Sequence, residues 1–495
     1  MNAPLPPTAI NTEQLLAQVS RQWDEELLTC LRRYIEIPAK SPTFDPNWAQ
    51  HGHIQAVVRD AAQWVEAQKV DGLRLELITL DGRTPVLFFE VPASTGANAQ
   101  ASSGPLKGQT VLMYGHLDKQ PEFTGWRSDL GPWTPKYQDG RLYGRGGADD
   151  GYAVYAAVAA IQALKRQGAA HPRIVGLIET SEESGSPDLL PYVDALKDRM
   201  GDVGLVICLD SGAGNYDQLW MTTSLRGMTG GILKVEVLTE GVHSGDASGV
   251  VPSSFRIMRQ LIERLEDSAT GRLLPPDFYC EVPEQRMAQM AQTAGILGEQ
   301  IYKRFPWAHY DCDGSVQSVL PTTTDPVQAL LNRTWLPALS VIGADGFPDL
   351  QNAGNVLRPY TAFKLSLRLP PTVDAAQATQ RLKALLEDNA PYQARVTFEP
   401  RHAATGWNAP ETATWFEQAL HAASQSHFGA PCGYIGQGGT IPLMNMLSKG
   451  FPKAQMLVCG VLGPQSNAHG PNEFLHVPYA KKLTAAVAQL IAQAA

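Results

Sequence analysis

Nowhere in these 495 residues do eighteen apolar side chains run together, so no membrane-spanning helix is expected. Residues 1–12 carry neither the basic start nor the apolar stretch of a secretory leader, and no signal peptide is expected. Positive charge is in short supply too. Lys and Arg number 40 against 49 Asp and Glu, a formal net charge of −9. That balance disfavours nucleic acid and anionic membranes as partners and favours solubility. The six cysteines, at 30, 208, 280, 312, 432 and 459, form no Cys-x-x-Cys pair. They read as apolar fillers in a reducing compartment, not as a disulfide framework. The expected compartment is the cytoplasm. Gly144-Arg145-Gly146-Gly147 lacks the Gly-Lys-Ser/Thr that would make it a phosphate-binding loop.

The chain is long enough that one core would stop growing, so two domains are expected. The early part alternates apolar runs with helical patterns. In residues 152–166, Val154, Ala157, Val158, Ile161 and Leu164 share one helix face. Strand, loop, helix, strand is the rhythm of a parallel α/β sheet. Residues 93–108, rich in Gly, Ala and Ser, read as a surface loop. After Asp210 the rhythm changes. Residues 231–239 and 361–369 alternate polar with apolar, as in a half-exposed antiparallel sheet, and residues 253–267 between them have helical spacing. The fold class expected is therefore α/β: a domain with a mostly parallel sheet flanked by helices, over 1–222 and 400–495, interrupted by a two-layer α+β insertion at 223–399.

Acids and histidines stand where the apolar runs end. Tyr114-Gly115-His116-Leu117-Asp118 closes one run, Glu182-Glu183 follows another at 174–178, and Cys208-Leu209-Asp210 closes a third. Asp149-Asp150 lies between them, and His469 comes late, in Asn467-Ala468-His469-Gly470. Side chains delivered from several strand ends of an open sheet converge on one crevice. Two histidines and several carboxylates, with no cysteine among them, suit divalent ions such as Zn or Mn. Holding two such ions together needs a carboxylate that can bridge them.

This ordered set resembles the M20 metallopeptidases, and their carnosinase-like dipeptidase branch in particular. The matching pieces are His116-x-Asp118, Gly144-Arg145-Gly146-x-x-Asp149-Asp150, Glu182-Glu183-Ser184-Gly185-Ser186, Asp210 and His469. Further along come Gly241-Val242-His243-Ser244-Gly245, Trp335-Leu336-Pro337-Ala338-Leu339-Ser340, Leu365-Ser366-Leu367-Arg368-Leu369-Pro370 and Gly438-Gly439-Thr440-Ile441-Pro442. The resemblance implies a catalytic domain interrupted by a lid that also dimerises, and two divalent ions per chain, zinc first, with manganese or cobalt as the others. It implies that Asp149 bridges the ions, that His116 and Asp210 complete one ligand set, and that Glu183 and His469 complete the other. Adjacent Glu182 and Glu183 cannot aim the same way, so Glu182 is the expected general base. Asp118 is expected to orient the His116 ring.

In the lid, the resemblance makes His243 an oxyanion and substrate contact, in dimeric relatives across the subunit interface. It makes Arg368 a clamp for a terminal carboxylate, which Gly439 and Thr440 could join, and His402 a further substrate contact. Two positions depart from the branch. Gly151-Tyr152 stands where Lys-Gly is usual, and Gly436-Gln437 stands where an acid and an arginine are usual, so one substrate-facing charge is absent. The activity implied is hydrolysis of dipeptides or short peptides by a homodimer. The alternatives are another amide hydrolysis on the same site, N-acyl amino-acid deacylation or carbamoyl removal, and, from another class, a silent relative acting as a binding protein.

Overall fold

The computed structural model describes residues 10–94, 104–401, 403–439 and 442–495. The strands that matter are, in chain order, β1 (Arg74–Ile78), β2 (Val86–Val91), β3 (Thr110–His116), β4 (Arg173–Glu179), β5 (Val203–Cys208), β6 (Gly227–Glu236), β7 (Ala338–Asp345), β8 (Tyr360–Leu369), β9 (Arg395–Pro400) and β10 (Gln455–Val458). They fall into two compact units. The first holds the described residues up to Thr222 with Ala409–Ile435 and Met446–Ala495, and the second holds Thr223–Asn408 and Gly436–Asn445.

The first unit is built on a six-stranded sheet in the order β1-β2-β4-β3-β5-β10. Neighbours from β4 to β10 are parallel, and β1 and β2 run antiparallel at one edge. Every residue of β3 and β5 is buried, as expected of parallel strands covered on both faces. Helix α1 (Tyr152–Arg166) forms over the range its apolar periodicity predicts, and its residues from Tyr152 to Leu164 are buried. Gly115 sets how near α1 comes to β3. A Cβ there would stand 2.5 Å from Ala153 Cβ and 2.8 Å from Asp150 Oδ2. The C-terminal helix Val477–Gln493 is buried along most of its length. Part of the glycine- and serine-rich stretch read as a surface loop, residues 95–103, lies outside the described residues.

The second unit is a four-stranded antiparallel sheet in the order β7-β8-β6-β9. Helices Ser254–Ile262 and Ala375–Glu387 supply Ile257, Met258, Leu261, Leu382 and Leu386 to its core, against Leu233, Val235, Leu365, Leu367 and Phe398 from the strands. On β8, Leu365, Leu367 and Leu369 are buried while Lys364 is exposed and Ser366 and Arg368 are half-buried, the two-faced pattern that the alternation anticipates. The sequence reading returned the chain to the first domain at 400. The second unit instead keeps it through Asn408, because Met228 and Ala404 bond each other's backbone and Trp407 pairs with Leu225. It also takes in Gly436–Asn445, where the Arg226 N–H donates to the Gln437 carbonyl. Among the described residues all six cysteines are free, four of them buried.

Candidate metal centre

Three parallel neighbours, β4, β3 and β5, end side by side, with His116 opposite Glu179 and Tyr114 opposite Cys208. The ends of one parallel sheet open into a common crevice. His116 is the last residue of β3 and is fully buried. Beyond β4 comes a single tight turn, Glu182–Ser184, closed by Gly185 in the left-handed region at φ 85°, a backbone that glycine adopts without cost. Asp210 lies two residues past β5. Asp149 sits in the segment Gly147–Gly151 that leads into α1, with a non-helical backbone at φ −125° and ψ 86°.

The side chains meet. His116 Nε2 lies 3.6 Å from Asp149 Oδ1, 3.8 Å from Asp210 Oδ2 and 4.0 Å from Glu182 Oε2. His469 Nε2 lies 3.0 Å from the other oxygen of Asp149 and 3.4 Å from Glu183 Oε2. Asp149 therefore stands between the two histidines, with one oxygen towards each. Two groups of three, His116 with Asp149 and Glu183, and His116 with Glu182 and Asp210, each bring their donor atoms within 4.8 Å of one another. His469 is 56% exposed while His116 and Asp149 are buried, so the cluster opens on the His469 side.

The electrostatics fit a cation. Burial, opposed by the imidazoles of His116 and His469, leaves the Asp149 carboxyl below the usual carboxylate range. Burial, and then the neighbouring acids, pushes Glu182 and Glu183 well above it and Asp210 up to about 6. Buried carboxylates that repel one another need positive charge between them. His116 Nε2 is buried without a hydrogen-bond partner among the described residues, at distances from its acids too long for a hydrogen bond. Two ligands each ~2 Å from one zinc ion stand about 3–4 Å apart. Donor identity, spacing and the orphaned nitrogen agree with a divalent metal.

The surrounding residues hold this arrangement. Asp118 accepts the backbone N–H of Glu182 at 3.1 Å and of Glu183 at 3.0 Å. His116 Nδ1 lies 3.1 Å from the Asp118 carbonyl and 3.4 Å from its carboxylate, which fixes the ring and leaves Nε2 facing the acids. Sequence reasoning missed four contributors. Gln120 donates to Glu183 Oε2 at 2.5 Å. Asp150 is buried and accepts the His116 N–H at 3.3 Å. Arg145 and Glu473 form a fully buried ion pair at 2.6 Å. Arg145 also donates to the carbonyls of His469 and Gly470, while Glu473 accepts the Gly146 N–H. Arg145 and Asp150 stand inside a quoted motif and were within reach; Gln120 and Glu473 carry no local signal.

In the second unit, His243 is exposed at the end of the short strand Val242–His243, paired with Val356. Arg368 is half-buried on β8, and burial lowers its pKa. Gly439 is exposed. Thr440 and His402 lie outside the described residues.

The description Peptidase family M20/M25/M40 matches residues 112–493. The chain belongs to this family. Among its M20 relatives, the cysteinylglycine-S-conjugate dipeptidase of Corynebacterium striatum is 26% identical over 440 residues, covering 85% of this chain and 88% of the relative. The Beta-Ala-His dipeptidase of Homo sapiens is 26% identical over 476 residues, covering 92% and 87%. The solved structure of the di-peptidase Dug1p from Saccharomyces cerevisiae aligns at TM-score 0.73 and 19% identity, over 98% of both chains. That of human carnosine dipeptidase 1 aligns at 0.70 and 22%, over 98% of this chain and 100% of the other. The M20 fold, and not the substrate, is what these two structural matches establish.

Proposed function

We propose that this M20 chain hydrolyses the amide bond of dipeptides or short peptides, with two divalent ions, zinc foremost, in the cluster around Asp149. The observation that carries the reading is Asp149 itself, buried, with one oxygen directed at His116 and the other at His469. In the proposed assignment His116 and Asp210 would hold one ion and Glu183 and His469 the other, with Asp149 shared. Such ions polarise a carbonyl oxygen and lower the pKa of a bound water.

The chain's own groups do the rest. Glu182 takes the proton from the attacking water and delivers it to the departing amine. Asp118 holds the His116 ring and both glutamate backbones in register. His243 donates to the oxyanion as it develops. Arg368 holds the terminal carboxylate through two parallel bonds, joined by the Gly439 N–H and by Thr440, and His402 is a further substrate contact. The names of the two dipeptidase relatives support substrates of this length. We place the protein in the cytoplasm, as a homodimer joined through the second unit.

Metal analysis of protein purified without chelator should find about two divalent ions per chain. Activity should vanish with chelator and return with Zn or Mn. A stoichiometry near zero, with activity indifferent to chelator, overturns the two-metal reading. A panel of dipeptides and N-acyl amino acids decides the substrate: turnover of the N-acyl compounds alone would assign the chain to deacylation.

A further inference from the structure

One buried carboxylate beside the metal cluster belongs to neither ligand set. Glu179, the last residue of β4, is 1% exposed and stands opposite His116 of β3. Three hydroxyl groups donate to it. Tyr114 reaches its Oε1 at 2.7 Å, Ser186 the same oxygen at 2.9 Å, and Ser181 reaches Oε2 at 3.0 Å. Tyr114, Ser181 and Ser186 are buried as well. An ionised carboxylate offers about four acceptor positions, so one group can gather all three.

Two of the donors flank the turn that carries Glu182 and Glu183. The N–H groups of Ser184 and Ser186 both donate to the Ser181 carbonyl, at 3.1 Å and 3.0 Å. Ser186 stands in the left-handed region at φ 53°, a backbone that costs free energy for any residue with a side chain. Its N–H bond to Ser181 and its hydroxyl bond to Glu179 hold it there. The third donor, Tyr114, lies two residues before His116, so the same carboxylate ties β3 to the turn. Asp118 grips the turn by the N–H groups of Glu182 and Glu183. Glu179 closes it where the chain enters and leaves.

We propose that Glu179 is a positioning residue, which acts through Ser181, Ser186 and Tyr114 to fix the turn that aims Glu182 and Glu183. The proposal rests on the reading of Glu182 as the base and Glu183 as a metal ligand. A reacting group misplaced by about 1 Å can lose about a hundredfold in rate, so a turn with an open base is costly to the chemistry. Hydrogen-bonding shape is what the role requires. In Glu179→Gln the amide oxygen can still accept from Tyr114 and Ser186, and the amide nitrogen can donate to the Ser181 hydroxyl.

The test measures kcat at saturating Zn, and Zn binding to the full chain stripped with chelator. Glu179→Ala should lower kcat by roughly tenfold to a hundredfold and weaken Zn binding by a similar factor, the range for partners that orient metal ligands. Glu179→Gln should stay close to wild type in both. A lower melting temperature with kcat and Zn affinity unchanged overturns the proposal, and so does a Gln variant as impaired as the Ala variant. In a Glu182→Gln background the kcat loss from Glu179→Ala should disappear, because the base that it aims is already gone. A loss of equal size in that background overturns the route through Glu182. No turnover of any dipeptide by wild type, or wild-type kcat in Glu182→Gln alone, overturns the hydrolase or the base reading instead, and the Zn measurement then still judges Glu179 through Glu183. If Glu179→Ala does not fold, Tyr114→Phe and Ser186→Ala each remove one donor. Each should lower kcat by about twofold to tenfold, and unchanged kcat and Zn affinity in both count against the proposal.

Discussion

Glu182 and Glu183 leave one tight turn whose two N–H groups are held by Asp118, so neighbouring carboxylates point to different partners. Glu182 approaches His116, and Glu183 approaches His469 and Gln120. In the proposed assignment the first moves protons and the second binds metal. Glu182→Gln should therefore keep most of its metal and lose about 10²–10⁴ in kcat, while Glu183→Gln should lose metal in the same analysis. The reverse pattern would exchange the two roles. Arg368→Ala should lower kcat/KM for a dipeptide by roughly tenfold to a hundredfold, as expected for a lost bond to a charged group, and should barely affect the dipeptide's C-terminal amide. Equal losses on both would make Arg368 a structural residue.

The strand ends bearing His116, Glu182, Glu183 and Asp210 were legible because each closes an apolar run with a polar residue that has no place in a core. Asp149 and His469 were legible only through their motifs, since neither follows a buried strand. What aligns their loops could not be read. Arg145 and Glu473 look like surface residues in the sequence, yet both are buried and bonded to each other, and they tie the Gly146 turn to the His469 loop. Glu473→Gln leaves the Arg145 charge buried without compensation, which should cost about 3–5 kcal/mol in a denaturant titration. Because the His469 carbonyl hangs on Arg145, metal affinity should fall by roughly tenfold to a hundredfold as well. A stability loss with metal affinity unchanged would show that the pair serves folding alone.

An insertion of this size, with a sheet edge of its own, offers a surface for a second copy. β7 pairs with β8 on one side, and Val341 and Ile342 on it are 47% and 58% exposed. Apolar edges of this kind attract partners. Ile342→Glu should therefore convert the proposed dimer to monomer in sedimentation, and an unchanged dimer would place the interface elsewhere. Hybrid dimers of His243→Ala with Glu182→Gln subunits should regain turnover at one site if His243 acts across the interface; verified heterodimers without activity would confine it to its own subunit. The two-unit plan and the polar residues of the strand ends follow from local signals: a period of two or 3.6, and polar residues ending apolar runs, are visible within a dozen neighbours. The Arg145–Glu473 bond and the Gln120–Glu183 contact join residues far apart in the chain. A lone polar side chain gives no sign of whether folding will leave it in water or bury it against a partner. Only the packed sheets decide that, because burial makes the partner necessary.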